Sequence, residues 1–515
     1  MDFWSILLSV IIGVFGINYL FKHFNFFKRH NVIHIPSVPI FGSMTSLVFR
    51  QISFVDFTKK MYNLNPDAKY IGMYATTNPV FLLRDPELIR TVLIKHFEIF
   101  PNRRGFSDFN DPLFSKNLFS LQGETWRKVR NLLSPSFTSS KMKNMFTLMS
   151  ECAVDFAKHM SKLSVNDTDT NIKDAFTKYT NDVIATCAFG IKIDSMKDPE
   201  NKFYVYGKEV TNFSGLRSLK FLFLRTFPKL GKFFHIKLIS KDASDFFRDS
   251  IQTTIATRDA EHITRPDMLQ LMMDVRNKDG GRALNTEEIV AEAFVFFFAG
   301  FETTSTTLCF AAHLLATNPD VQFKLRQEID KVLEESNGEV TYEAINHLEY
   351  LEAVINETLR MYCPVTVIER MCEADYELPP ALPNEKPFVM KKGMIFWIPI
   401  FPIHYDEKYY DNPEEFRPER FFNKAYHNSP YYLPFGAGPR MCIANRFALL
   451  EIKVLLFHLL ARCELKPCAK TTLPMRFSKK GVVVIVPENG FWLNIQRRSD
   501  MHHIFKTTEN NDVIS

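Results

Sequence analysis

The residues best suited to chemistry lie in one segment near the C-terminus, PFGAGPRMCIANRFALLEIKVLLFHLL, residues 434–460. Glycines and a proline precede Cys442, and apolar residues at helical spacing follow from Asn445 onward. This pattern predicts a tight loop that carries the thiol to the N-terminus of a helix. The positive end of a helix lowers the pKa of a cysteine, and a thiolate serves as a nucleophile or as a soft metal ligand. A catalytic nucleophile also needs a histidine base, and the neighbouring sequence offers none.

A second polar pair, Glu302 and Thr303, lies inside a long apolar run. An acid next to an alcohol in an apolar pocket can pass protons through ordered water. The alternative for such a pair is structural, because a threonine in a helix often bonds back to a helical carbonyl while the glutamate is solvated. The pair alone does not decide between these two interpretations.

An exceptionally long predicted helix positions this pair. Asn285 followed by Glu288 predicts a capping box, and Pro319 ends the pattern, which gives roughly 30 residues or about 45 Å. Its ionisable residues argue against a membrane span, so we expect a central helix that is buried on most faces: Glu288, Glu292, Glu302 and His313.

Helical patterns dominate the chain between residues 85 and 465. Strands are few: residues 71–83 and 482–495 predict them, the second segment with Asn489 and Gly490 as a hairpin turn. The predicted fold class is therefore mainly α with small β-sheets.

Four residues around the thiol, Phe435, Gly438, Arg440 and Cys442, match the pattern F-x-x-G-x-R-x-C. The segment thus resembles the haem-binding signature of the cytochromes P-450, the haem-thiolate monooxygenases. The resemblance implies that Cys442 is the metal ligand of haem b, which is iron protoporphyrin IX, and that the other three residues belong to the cofactor-binding loop. A thiolate ligand pushes electron density onto the iron and favours cleavage of the O–O bond.

Further motifs of the family occur in its order along the chain. The sequence AGFETT at 299–304 resembles A-G-x-E-T-T, which implies that Glu302 and Thr303 are catalytic and relay protons to bound oxygen. Splitting O2 takes two protons into an apolar pocket, which such a relay supplies.

Two more motifs imply residues that bind the cofactor or support it. WRKVR resembles W-x-x-x-R, and the family's positions for the haem propionates fall on Trp126, Arg130, Arg370 and Arg440. The sequences ETLR and RPERF resemble the family's buried structural cluster of one glutamate and two arginines, here Glu357, Arg360 and Arg420. One residue departs from the pattern, because Ala444 stands where the family usually has glycine. We expect its extra methyl group to alter the fit or potential of the haem without abolishing binding.

The resemblance covers the chain from about residue 30 to 498 and is closest to microsomal members of animals, with details similar to arthropod detoxification members. It implies the cytochrome P-450 fold, a single large haem domain behind an N-terminal transmembrane helix. We expect a membrane anchor at residues 1–22, a basic and Pro-containing connector at 23–45, the haem-thiolate monooxygenase domain at 46–498 and a polar tail at 499–515.

The predicted anchor is the run FWSILLSVIIGVFGINYLF, residues 3–21, which has no charge and is long enough to cross a bilayer. A cleaved secretory signal is the alternative, but Asp2 precedes the run and no small-residue cleavage site follows it. Basic residues come after it, which predicts an uncleaved anchor whose catalytic domain faces the cytoplasm. The resemblance to microsomal members implies that the membrane is that of the endoplasmic reticulum. The eight cysteines contain no C-x-x-C pair and fit reduced thiols in that compartment.

Composition adds two constraints. A net charge of +5 over 515 residues is too diffuse for a nucleic-acid-binding surface. The 50 phenylalanines against 17 tyrosines and 4 tryptophans indicate apolar rings in a core, a pocket or a membrane contact. Five of the rings lie between six basic residues in the segment 217–237, which predicts insertion into lipid headgroups.

The same rings suggest a large apolar substrate pocket. Its predicted wall includes rings of the segment 101–121, Phe297, Phe301 and, as named candidates, Phe109, Phe119, Phe213, Phe298, Ala299, Val367 and Phe477. Such a pocket suits lipophilic substrates, whether xenobiotics such as insecticides and plant toxins or endogenous lipids and hormones.

The resemblance implies electrons from NADPH through an NADPH-cytochrome reductase, with cytochrome b5 as a further partner. A predicted docking patch for the acidic flavoprotein consists of Arg127, Lys128, Lys141, Lys143, Arg446 and Lys453. Two alternatives stay open at this point. One is a haem-thiolate isomerase or dehydratase that needs no external electrons, and the other is a non-catalytic membrane-tethered haem or ligand-binding protein.

Overall fold

The computed structural model describes residues 4, 13, 25–107, 109–163, 169–276, 283–336, 338–481 and 484–500. The predicted anchor, apart from Trp4 and Gly13, lies outside the described residues, as does most of the predicted C-terminal tail.

Helices make up most of the described chain, as the sequence predicts. In order, α1 to α19 are Phe26–Arg29, Thr45–Val48, Phe54–Tyr62, Pro86–Arg90, Pro112–Ser115, Gly123–Leu133, Ser139–Leu163, Ile172–Ile184, Lys202–Thr211, Leu216–Thr226, Pro228–Phe233, Lys241–Glu261, Met268–Asp274, Thr286–Thr317, Pro319–Glu335, Tyr342–Asn346, Glu349–Met361, Ile400–His404 and Asn445–Arg462. Single π turns at Thr91–Lys95 and Ala185–Phe189 extend α4 and α8, and short 3-10 helices cover Ser134–Phe137, Pro418–Phe422 and Tyr426–Asn428.

Nine described strands form three small sheets. They are β1 Tyr70–Ala75, β2 Asn78–Leu83, β3 Asp169–Asn171, β4 Val367–Met371, β5 Tyr376–Leu378, β6 Phe388–Met390, β7 Ile395–Pro399, β8 Cys463–Lys466 and β9 Trp492–Arg497. The largest sheet has the order β1-β2-β7-β4, with β2 and β7 parallel and the other pairs antiparallel. The second has the order β3-β9-β8, and β5 pairs with β6.

One strand prediction is wrong in part. The segment 71–83 forms the hairpin β1-β2, but 482–495 does not fold back on itself at Asn489 and Gly490. The chain does turn there, yet β9 pairs with β3 and β8, whereas Pro487 forms a single bridge with Phe477. Partners that are distant in the sequence therefore outweigh the local turn signal.

The predicted central helix is confirmed as α14, which has 32 residues and spans about 48 Å. Asn285 caps it: its side chain accepts from the Glu288 N–H at 2.9 Å, and the Glu288 carboxylate accepts from the Asn285 N–H at 3.0 Å. In the described part of the chain, α14 is the one helix long and apolar enough to cross a membrane, but most of its apolar stretch is buried in the protein. It packs along α8 and also contacts α5, α9, α12, α17 and α19.

A buried ion cluster ties α17 to the chain that leads toward the Cys442 loop. The Arg360 guanidinium donates twice to the Glu357 carboxylate, at 2.8 and 2.9 Å, and Arg420 Nε lies 3.4 Å from the same carboxylate. All three side chains are at most 1% exposed. Arg360 also donates to the His404 carbonyl at 2.9 Å, which joins α17 to α18. The structure thus brings Glu357, Arg360 and Arg420 together as the sequence predicts.

Replacing Glu357 with Gln should strand the buried Arg360 guanidinium, whereas Arg420 keeps its contact with Asp411 at 2.7 Å. We expect the free energy of unfolding in urea to fall by roughly 3–5 kcal/mol. The matched control is Glu343→Gln, because Glu343 pairs with Lys143 at 2.6 Å on the protein surface, where both side chains are more than half exposed. That control should unfold like the parent protein, and an equal effect of both substitutions would contradict the buried-cluster assignment.

Candidate active site

A backbone hydrogen bond and a glycine that no other amino acid could replace hold the Cys442 loop in place. The Cys442 N–H donates to the Phe435 carbonyl at 2.9 Å, and α19 begins three residues later. Gly438 has φ +72°, and a Cβ there would lie 2.0 Å from the Leu93 carbonyl oxygen. The motif glycine therefore lets this loop pass directly over the π turn at Thr91–Lys95.

Cys442 is exposed, yet desolvation by the surrounding protein atoms raises the pKa of its thiol. The N–H of Ala444 and the charges of Arg103 and Arg130 lower the pKa again, but burial has the larger effect. The N–H group at the start of α19 thus acts in the predicted direction, but desolvation of the thiolate outweighs it and the net pKa of Cys442 is raised.

Four arginines converge beside this loop: Arg103, Arg130, Arg370 and Arg440. Burial lowers the pKa of each, and the repulsion between the four guanidinium groups lowers it further for Arg103, Arg370 and Arg440. The pKa of Arg440 falls to about 8 and that of Arg103 to about 10. Arginine keeps its proton in proteins, so these lowered values indicate a cluster that lacks counter-charges.

Several N–H groups of the cluster have no partner among the described residues. They are Nε and Nη2 of Arg370, which is 0% exposed, and Nη1 of Arg440. The nearby carboxylate of Glu369 is already taken, because it accepts from Arg225 at 2.6 Å, from the Arg104 N–H at 3.1 Å and from the Trp397 indole at 3.3 Å. The cluster therefore fits a ligand that brings its own carboxylates.

Trp126 and Arg103 complete the geometry of the cluster. The Arg440 guanidinium lies 4.2 Å from the centroid of the buried Trp126 ring and donates to the carbonyls of Pro101 at 2.8 Å and Leu121 at 2.6 Å. Arg103 donates to the Arg440 carbonyl at 2.6 Å. Sequence reasoning missed Arg103, because it belongs to no motif and approaches Cys442 only through the folded loop at 101–105.

The middle of α14 has one face that the rest of the described chain leaves uncovered. Ala299 is exposed and Thr303 is half-buried, although Phe297 and Phe301 on the opposite side are fully buried. The Thr303 hydroxyl donates to the Ala299 carbonyl at 2.7 Å, as the structural alternative anticipates. Glu302 differs from that alternative, because its carboxylate pairs with Lys173 at 2.9 Å instead of being solvated.

Aromatic rings connect this part of α14 to the arginine cluster. Phe298 lies 5.9 Å from Phe106, Phe106 lies 5.5 Å from Phe119, and the Arg103 guanidinium lies 5.2 Å from the Phe119 ring. Phe109 and Phe213 pack against the same group, at 5.3 Å from Phe106 and 5.9 Å from Phe298. Phe119, which is 39% exposed, presents its ring to open space.

Other predicted wall residues lie elsewhere. Phe297 and Phe301 are fully buried and belong to the core. Phe297 packs against Phe247 of α12, and Gly207 lets the backbone of α9 approach both rings closely. Val367 lies in β4 opposite Pro399, and Phe477 packs against Tyr362 and Phe401 at 6.1 and 5.5 Å. The described ring contacts therefore do not join Phe477 to the aromatic group above Arg103.

The predicted docking patch needs one correction. Lys453 is only 5% exposed and pairs with Glu352 at 2.8 Å, so it is not part of a surface patch. The helical spacing of α19 directs this lysine toward α17. Arg127 pairs with Glu98 and Glu124, and Lys143 pairs with Glu343, whereas Lys128 and Arg446 are exposed.

These observations fit haem b. Cys442 offers a soft thiolate ligand, the unpaired arginine N–H groups suit the two propionates, and the aromatic rings with Ala299 offer an apolar surface for a planar macrocycle. The residues that would hold the propionates are Arg103, Trp126, Arg130, Arg370 and Arg440.

Replacing Arg103 with Leu should weaken haem retention. Loss of one charged hydrogen-bond donor is expected to raise the rate of haem transfer to apomyoglobin by about tenfold or more. Arg127→Leu is the matched control, since Arg127 lies beside Trp126 on α6 but pairs with surface carboxylates. Equal haem loss from both variants would contradict the role of Arg103.

Comparisons with known proteins agree with this geometry. The family model described as Cytochrome P450 matches residues 34–494. The chain is 43% identical to cytochrome P450 9e2 of Blattella germanica, over 96% of this chain and 98% of the relative. It is 36% identical to probable cytochrome P450 9f2 of Drosophila melanogaster, over 92% and 95%. It is 37% identical to cytochrome P450 3A9 of Rattus norvegicus, over 97% of each chain.

The described cysteines form no disulfide, which agrees with the thiol chemistry expected of Cys442. The site is that of a haem-thiolate oxidoreductase that uses haem b as a monooxygenase. The chain therefore belongs to the cytochrome P450 family, as a member of the microsomal arthropod type.

Proposed function

We propose that this monooxygenase resides in the endoplasmic reticulum membrane, takes electrons from NADPH through a reductase and oxidises lipophilic substrates. The observation that carries the proposal is the placement of the Cys442 loop beside arginines with unpaired N–H groups, from which a row of apolar rings leads to α14. Bound haem supplies the oxygen chemistry, in which one atom of O2 enters the substrate and the other leaves as water.

The chain's own residues orient the cofactor in this account. Cys442 would supply the thiolate ligand of the iron, and Arg370 and Arg440 would bind the propionates with their unpaired N–H groups. Gly438 keeps the loop close to the chain at Leu93, so the thiol cannot move outward without breaking that packing. Ala444 is the N-cap residue of α19, with φ −96° and ψ 19°. Its φ is negative, so the backbone there does not require glycine, which supports tolerance of the methyl group.

Glu302 and Thr303 are the proposed proton relay. The Thr303 hydroxyl lies on the uncovered face of α14. Its Oγ1 carries a proton that it donates in a hydrogen bond to the Ala299 carbonyl. Glu302 is the adjacent acid, and its contact with Lys173 keeps it inside the protein. Reaction at the haem consumes two protons per O2, which this pair supplies from solvent.

Substrates are proposed to bind among the aromatic rings of Phe109, Phe119, Phe213 and Phe298, next to Ala299. Few polar anchors lie among these rings, so recognition depends on apolar area and shape. This favours lipophilic compounds such as xenobiotics, with lipids or hormones as the endogenous counterparts. Val367 and Phe477 lie on separate elements and are proposed to line the far side of the same pocket.

Membrane attachment is proposed at two places. One is the apolar segment 3–21 of the sequence. The other is the basic segment predicted to meet lipid headgroups, which forms α10 and α11 rather than a loop. Phe221 points inward against Phe106 and Phe109, while Leu216, Phe233 and Phe234 are 83%, 75% and 62% exposed. Exposed apolar groups among lysines and arginines are typical of an interfacial helix.

The electron partner is proposed to be an NADPH-cytochrome reductase, with cytochrome b5 as a second donor. The exposed basic residues Lys128 and Arg446, on the helices that also carry Trp126 and follow Cys442, offer it a positive surface. Such charges steer association and make its rate depend on salt.

The relay predicts that Thr303→Val uncouples electron use from oxidation. With reductase and NADPH, product formed per NADPH should fall at least about tenfold on a panel of lipophilic substrates, because the hydroxyl proton is missing. The matched control is Thr317→Val, since the Thr317 hydroxyl likewise bonds to a carbonyl of α14, that of His313 at 2.9 Å.

Unchanged coupling in Thr303→Val would contradict the relay. Absence of NADPH-dependent product from the parent protein, together with electron-independent conversion of peroxides, would instead support the isomerase or dehydratase alternative.

The interfacial helices predict a loss of liposome binding when Phe233 and Phe234 are both changed to Ser in protein that lacks residues 1–22. Flotation with anionic vesicles should show a partition coefficient at least about a hundredfold lower, because full burial of two apolar rings contributes about 3–6 kcal/mol. The control is Phe323→Ser with Phe422→Ser, two rings that are 54% and 53% exposed on other elements. Similar binding of both variants would contradict the membrane surface.

A further inference from the structure

Lys173 makes an unusual set of contacts with the central helix. It lies at the second position of α8, and its Nζ donates to the Ser305 hydroxyl at 2.8 Å and to the Thr306 hydroxyl at 2.9 Å. The same Nζ pairs with Glu302 Oε1 at 2.9 Å. An ammonium group has three protons, so these three contacts satisfy it completely.

The three acceptors lie on one face of α14, because Ser305 and Thr306 follow Glu302 by three and four residues. Lys173 and Glu302 are 22% and 21% exposed, so the pair touches solvent but is mostly enclosed. Exposed pairs with one contact are worth little, since two long side chains must be held in place. Here two hydroxyls fix the ammonium independently, and the Ser305 hydroxyl is itself fixed by its bond to the Phe301 carbonyl at 2.8 Å. The ammonium is therefore a rigid anchor for the carboxylate.

Neighbouring charges leave this anchor intact. Asp174, next to Lys173 in the sequence, accepts from Tyr204 of α9 and pairs with Lys178 at 2.9 Å. Burial and the contact with Asp174 raise the pKa of Tyr204, and Glu302 adds to that effect. Asp174 is thus engaged on the α9 side, and Glu302 is the carboxylate that Lys173 contacts among the described ion pairs.

Glu302 and Thr303 are adjacent, and neighbouring side chains of a helix point about 100° apart. Thr303 lies on the uncovered face of α14. Glu302 faces α8, where Lys173 contacts its carboxylate, and Glu302 directly precedes the threonine of the relay. Without this contact, the carboxylate is free to extend toward bulk water. We propose that Lys173 is a positioning residue that keeps Glu302 where it can pass solvent protons to Thr303. This inference rests on the proposed monooxygenase function and goes beyond it by assigning a residue outside the motifs.

The experiment compares Lys173→Met, Lys173→Arg, Glu302→Gln and the double variant Lys173→Met with Glu302→Gln. The matched control is Lys178→Met, on the same helix but paired with Asp174. With reductase, NADPH and one lipophilic substrate, Lys173→Met should form about three- to tenfold less product per NADPH and show a larger solvent isotope effect. Haem content should equal that of the parent protein, and Lys173→Arg should recover most of the coupling.

The double variant separates positioning from general damage. If Lys173 acts through Glu302, the double variant loses no more coupling than Glu302→Gln alone. Additive losses, or a Lys173→Met variant as well coupled as Lys178→Met, would overturn the proposal. If Lys173→Met does not fold, Ser305→Ala with Thr306→Val removes two of the three contacts of the ammonium and should lower coupling in the same direction.

A second readout is independent of turnover. Carbodiimide labelling of carboxyl groups, followed by mass spectrometry, should modify Glu302 several-fold faster in Lys173→Met than in the parent protein, with Asp174 unchanged. Equal labelling of Glu302 in both proteins would overturn the positioning role. Failure of the parent protein to consume NADPH would count against the proposed function, whereas these comparisons between variants address Lys173.

Discussion

The structure depends on one electrostatic constraint, which is the concentration of guanidinium charge beside the Cys442 loop. Arg103, Arg130, Arg370 and Arg440 lie close enough to lower one another's pKa, and the nearby Glu369 is committed to other donors. Such a cluster is unfavourable unless a ligand supplies anions, since an unpaired buried charge costs several kcal/mol. The two propionates of haem b would meet that need.

The elements around the cluster are arranged to hold it against this repulsion. The arginines come from the loop at 101–105, from α6, from β4 and from the Cys442 loop, so no single helix carries them. The backbone carbonyls of Pro101, Leu121 and Arg440 accept from Arg440 and Arg103 and connect these elements, while Arg370 donates to the carbonyl of Glu369 within β4. The buried contacts of Glu357 with Arg360 and Arg420 are linked to the chain before the Cys442 loop through His404, whose Nε2 accepts from the Leu433 N–H at 3.0 Å.

Local patterns predicted much of this arrangement. The capping box of α14, the start of α19 after Cys442 and the mainly helical fold follow from residues a few positions apart, and the structure agrees with all three. Errors arose where distant partners decide the outcome. Lys453 has the sequence surroundings of a surface lysine but pairs with Glu352 of another helix, and the strand after Gly490 pairs with β3 and β8. Arg103 and Lys173 carry no motif, because their roles exist only after folding.

The central claim is that Cys442 and the arginine cluster together hold a thiolate-ligated haem. The carbon-monoxide difference spectrum of the reduced protein tests it most directly. The account predicts the long-wavelength band of thiolate ligation in the parent protein, its loss in Cys442→His with haem retained through the arginines, and loss of haem itself when Arg370 and Arg440 are both changed to Leu. A parent protein without that band, or a Cys442→His variant that keeps it, would contradict the account.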